Sequence, residues 1–169
     1  MEASSAEEQK SSWIDFSRLT VGELMGMVAA LVLLGSLWLP WFSTSSENEN
    51  SVITSAGIGH GESATAWQTF PILRWLLLAA CIAPFILTWI VARGHTLTWK
   101  PGEVTMIVGM IALVLILCNG IILGKPEPGI EISLSWGYLV GLIAATGMLV
   151  SGFLRQALHT DARKPPGVM

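Results

Sequence analysis

Val104–Leu123 reads VTMIVGMIALVLILCNGIIL, twenty residues without a charged side chain. At 1.5 Å of rise per residue, such a helix is about 30 Å long, the thickness of a bilayer's hydrocarbon layer. Water cannot satisfy peptide groups there, so the stretch must bond within itself, and that predicts a transmembrane helix. Three other stretches read the same way. Val21–Phe42 carries Glu23 at its edge, Leu73–Ala92 carries Arg74 at its edge, and Trp136–Leu154 carries no charge. The predicted fold class is therefore an all-α membrane protein, a four-transmembrane-helix bundle with spans at about 21–42, 73–92, 104–123 and 136–154. Residues 43–70 form its outer loop.

Composition agrees. Of 169 residues, 52% are apolar and only 12% are charged. A soluble domain carries about a quarter charged residues, so this chain cannot cover a water-facing surface. The same proportions exclude disorder. A net charge of −3 leaves no basic footprint for nucleic acid. Two cysteines cannot build a disulfide-rich scaffold.

The nine basic residues orient the spans. Lys10, Arg18, Arg93, Lys100, Arg155, Arg163 and Lys164 fall on one side, Lys125 falls on the other, and Arg74 lies within a span edge. The positive-inside bias predicts both termini in the cytoplasm of a cell membrane. Residues 1–19 are polar and acidic, so the first span is expected to remain as an anchor. Within that tail Trp13, Phe16 and Leu19, with Ser12 and Asp15 as a capping pair, predict a short juxtamembrane amphipathic helix. Residues 20–155 form the predicted transmembrane domain, and 156–169 a cytoplasmic tail. Trp38, Trp41, Phe42, Trp67, Phe70, Trp75, Trp136 and Tyr138 gather at the outer span ends, as interfacial aromatics do.

Local signals refine the spans. Thr20 and Glu23 form a capping box at the mouth of span one, and Thr65 and Gln68 form another before span two. Pro71 bends the chain at the bilayer surface, and Pro84 predicts a mid-span kink. Small residues recur every fourth position: Gly22, Gly26 and Ala30 in span one, Gly137, Gly141 and Ala145 in span four. Such stripes let helix backbones approach. They predict packing within the chain, with homodimerisation as the alternative. In the outer loops, Ser51–Thr54 and Gly129–Leu134 are β-prone and predict a small antiparallel pair.

Convergent chemistry is scarce. His60 lies outside, while His95 and His159 lie inside, so the three cannot share a metal. His60 with Glu62, Glu47 and Glu49 offers only a loop without rigid spacing. Cys81 and Cys118 sit within spans and lack the C-x-x-C spacing of thiol oxidoreductases; they read as packing residues, with a redox pair between helices as the alternative. Catalytic, metal and cofactor sites are accordingly none. Four residues remain as candidate functional or bracing groups. Glu23 reads as a cap, with proton coupling as its alternative. Arg74 lies a turn inside the outer boundary, where it must snorkel or pair. Glu131 or a loop-one glutamate can meet it, and Asn119 can bond across helices. Bracing is one reading of Arg74, and recognition of an anionic lipid or ligand is the other.

Leu39-Pro-Trp-Phe42, Ala66-Trp-Gln-Thr-Phe70 and Trp136-Gly-Tyr-Leu-Val-Gly141 occur in that order, closing span one and opening spans two and four. Over residues 20–155 the chain resembles the small four-helix integral membrane proteins common in actinobacteria. That resemblance implies a bacterial cytoplasmic membrane and carries no activity or catalytic residue. Claudin-type proteins have a similar topology, but their paired outer-loop cysteines are missing here. The expected role is non-enzymatic: an accessory, scaffold or envelope component touching the lipid bilayer and a membrane-protein partner or a second copy. The alternative is a small transporter or transporter subunit using Glu23 and Arg74.

Overall fold

The computed structural model describes residues 19–44, 52–55, 58–93, 99, 102–122 and 131–162. The helices are α1 (Val21–Ser36), α2 (Ala66–Thr69), α3 (Leu73–Ala92), α4 (Glu103–Leu117), which continues as a π-helical turn over Cys118–Ile122, and α5 (Trp136–Ala162). Three of them are long and apolar enough to cross a membrane: Leu73–Ala92, Glu103–Ile122 and Trp136–Leu158. α5 packs on α1 and α4, and α3 packs on the same two, closing a ring. The predicted amphipathic helix lies outside the described residues, apart from Leu19.

The first predicted span ends early. α1 stops at Ser36, and Pro40–Thr44 forms strand β1 where the hydropathy suggested more helix. Pro40 lacks an amide hydrogen and disfavours helical backbone in the residue before it. Every carbonyl freed at this helix end finds a partner. Ser36 Oγ donates to the Leu33 carbonyl, and the Leu37, Trp38 and Leu39 amides donate to Leu34, Gly35 and Ser36. The Trp41 indole Nε1 also donates to Ser36 O at 2.8 Å, and the Trp67 amide donates to Leu37 O. Tertiary donors thus make a buried helix end tolerable.

β1 is the centre of a three-stranded antiparallel sheet, flanked by β4 (Ser63–Thr65) and β5 (Ile132–Leu134). Phe42 pairs with Ala64 on one side and Leu134 on the other. The predicted pairing of 51–54 with 129–134 is therefore corrected. Ile132–Leu134 does pair, but with β1, while Thr54–Ser55 (β2) folds back on Ile58–Gly59 (β3). Buried Trp41 and Phe42 favour β1, because pairing there places both rings in the core.

At Pro71 the chain breaks between α2 and α3 where a bend was expected, and α3 runs through Pro84, which is buried. α5 continues through Ala162, past the predicted boundary at 155, because residues 155–162 contain neither Gly nor Pro. The middle of the ring is filled by Leu33, Leu77, Ile116 and Met148, all fully buried.

Candidate functional site

Two charged centres occupy opposite ends of the packed helices. At the first end lie the start of α1, the start of α4 and the later turns of α3 and α5. Glu23 stands in the first turn of α1, and its Oε2 accepts from the Thr20 amide at 2.5 Å and from Thr20 Oγ1 at 3.1 Å. This is the capping geometry expected from the sequence. The other oxygen does something the sequence did not announce. Glu23 Oε1 lies 2.7 Å from Arg155 Nη2 on α5, with both side chains more than nine-tenths buried. The contact is ionic and lies off hydrogen-bond alignment, and Arg155 Nε is without a hydrogen-bond partner.

These polar edges face a cavity of about 10 Å³ lined by Gly22, Gly26, Thr88, Thr105, Ser151 and neighbours. That is the size and polarity of a one-water site, and far too small for an organic substrate. Its walls are close because glycines remove side chains. A Cβ at Gly22 would come within 3.2 Å of Arg155 Cβ, and one at Gly26 within 3.1 Å of Ser151 Oγ. Ala30 is fully buried further along the same face. The α1 stripe therefore lies against α5 of its own chain.

The α5 stripe faces other neighbours. Gly137 abuts the Leu39–Pro40 backbone, Gly141 abuts the Trp41 ring and Ser36, and Ala145 is fully buried. A second seam, between α4 and α5, was not singled out from the sequence. A Cβ at Gly152 would overlap the Met106 backbone, and one at Gly109 would overlap Leu149. Spacing alone could not find it, because Gly102, Gly109 and Gly152 do not repeat at four.

At the sheet end, Arg74 lies among tryptophans. Its guanidinium carbon is 5.2 Å from the centroid of the Trp67 ring and 5.6 Å from that of Trp75. Nη1 donates to the Trp67 carbonyl at 3.1 Å, and the buried Nε is without a partner. Trp38 stacks on Trp67 with centroids 5.3 Å apart, and Trp75 meets Trp67 edge-on. Among the described residues, Arg74 forms no ion pair. Glu131 is exposed at the entry to β5 and does not supply one. Of the expected carboxylate partners, Glu47 and Glu49 lie outside the described residues; among those described, Arg74 meets aromatic faces, which attract a cation without neutralising it.

Asn119 also departs from expectation. Its Nδ2 donates to Leu115 O at 2.8 Å in its own helix, not across to another. The contact across helices is made by Tyr138, whose hydroxyl donates to Ile116 O at 3.0 Å. Gly120 makes room for that ring, since a Cβ there would overlap it. Ile116 lies two residues before the π-helical turn.

Cys81 and Cys118 are both free thiols. No group of three or more metal-ligating side chains occurs among the described residues; Glu47 and Glu49 lie outside them. The chain matches no protein-family model and no curated protein.

Proposed function

We propose that the protein is a four-span integral membrane protein of a bacterial cytoplasmic membrane, with both termini inside and the sheet outside. It acts without catalysis, as an accessory or scaffold component that works through its surfaces. The apolar surface of the helices supports the membrane part. Val28, Leu31, Ile82, Ile86, Ile111, Val114 and Ile143 are all exposed, which water would penalise and lipid would not. α1 spans about 24 Å as a helix, and the lipid can thin locally to meet a shorter span. The resemblance to actinobacterial four-helix proteins and the positive-inside bias support the location and orientation.

The observation that carries the scaffold reading is the filled interior between the two charged centres. Leu33, Leu77, Ile116 and Met148 stand between the Glu23 end and the Arg74 end, where a transporter using both residues needs a polar path. Photo-crosslinkers at Leu31, Ile111 and Ile143 in native membranes test the role. A discrete protein adduct, either a partner or a second copy, is expected. Adducts to lipid alone, together with solute flux in liposomes that Glu23→Gln abolishes, would overturn the reading. Thiol labelling of a Ser63→Cys variant lacking Cys81 and Cys118 tests the topology, with labelling from outside expected.

A further inference from the structure

We propose that Arg74, set against the Trp67 and Trp75 rings, is a binding site for the phosphate of an anionic glycerophospholipid in the outer leaflet. The inference rests on the membrane reading above and adds a ligand to it. A lone arginine at a hydrocarbon boundary is costly unless it pairs or reaches water. Here it is turned back along the protein by one hydrogen bond to Trp67 O and by contact with two indole rings. That orientation preorganises the guanidinium but uses only part of its donor fork. No carboxylate among the described residues neutralises the charge.

The immediate surroundings are also positive. Arg74 is in the first turn of α3, where the helix dipole is positive, and that turn has no acidic residue and no side-chain cap. A cation there is unfavourable by itself and favourable once an anion bridges it to the helix. The residues around it set the depth. Trp38 and Trp75 are each about half exposed, as indoles at headgroup level are. A phosphodiester fits, because its two free oxygens match the fork of a guanidinium. Free phosphate has the same recognition chemistry, so the test must separate the two sources.

The full-length chain, purified in detergent and delipidated, is titrated with phosphatidylglycerol and followed by native mass spectrometry. Arg74→Gln should weaken binding at least about tenfold, as loss of a charge-assisted bond does. Trp75→Leu keeps the charge, removes an exposed ring, and should weaken binding about two- to fivefold. Binding equal to wild type in both variants would overturn the site. Should Arg74→Gln fail to fold, Trp75→Leu alone decides. Equally tight binding of phosphatidylcholine would overturn the requirement for net negative charge, and displacement of the lipid by inorganic phosphate would overturn the lipid source. Failure of the membrane reading is distinct: the chain would disperse without detergent.

Discussion

The carboxylate of Glu23 serves two helices at once: one oxygen caps α1 through Thr20, and the other meets the Arg155 guanidinium of α5 at 2.7 Å. The pair locks the first helix to the last at the end of the molecule opposite the sheet.

Breaking this pair from one side should cost more than removing it. Arg155→Met leaves a buried carboxylate uncompensated and is expected to destabilise the protein by about 3–5 kcal/mol. Glu23→Gln combined with Arg155→Met should recover much of that loss, because the glutamine can still accept from the Thr20 amide. Thermal unfolding of the two variants in one detergent checks the order; an equal loss in both would show that the charge is not what matters.

Two glycine-to-alanine changes should behave oppositely. At Gly152 a Cβ meets the Met106 backbone, so α4 and α5 must separate, at a cost of about 1–3 kcal/mol or more. At Gly35, in the last turn of α1, nothing lies within 4 Å. There alanine should be neutral or stabilising by up to about 1 kcal/mol, since it restricts the unfolded chain and favours helix. Denaturation midpoints of the pair test the seam directly.

Tyr138→Phe removes one hydroxyl and with it the buried hydrogen bond to Ile116 O. The expected loss is about 1–3 kcal/mol, with little change in shape. A crystal or NMR structure of the variant should show an unmoved ring. If stability is unchanged, that bond carries no net weight.

Thiol counting provides a simple check on redox chemistry. Cys81 and Cys118 are free, so denatured protein handled without reductant should bind two equivalents of a thiol reagent. In the folded state buried Cys81 should react far more slowly than Cys118. Recovery of no reactive thiol would instead indicate a disulfide between helices.

The segments that became helices were legible because an apolar run of spanning length has few other solutions. The sequence delimits Leu73–Ala92 to the residue and Val104–Leu123 nearly so, while Trp136–Leu154 has the right start but α5 runs on to Ala162. The Thr20–Glu23 and Thr65–Gln68 caps were equally readable, since capping is decided within four residues. Where hydropathy was the only guide, the reading overran. Leu37–Phe42 is as apolar as a helix end, yet Pro40 and the sheet partners made Pro40–Thr44 a strand.

By itself, then, the sequence determined which apolar segments are mainly helical, where α1, α3 and α5 begin, and that their composition suits lipid. These are properties of a local stretch and its solvent. Only the tertiary structure decided that Arg155 answers Glu23, that tryptophans rather than Glu131 hold Arg74, and that Tyr138 rather than Asn119 crosses between helices. The first and third pairings join elements far apart in the chain, and the second brings Trp67 back onto the start of α3 across the turn at Pro71. Hydropathy cannot rank such partners, because a buried charge or carbonyl accepts whichever neighbour the packing brings within reach.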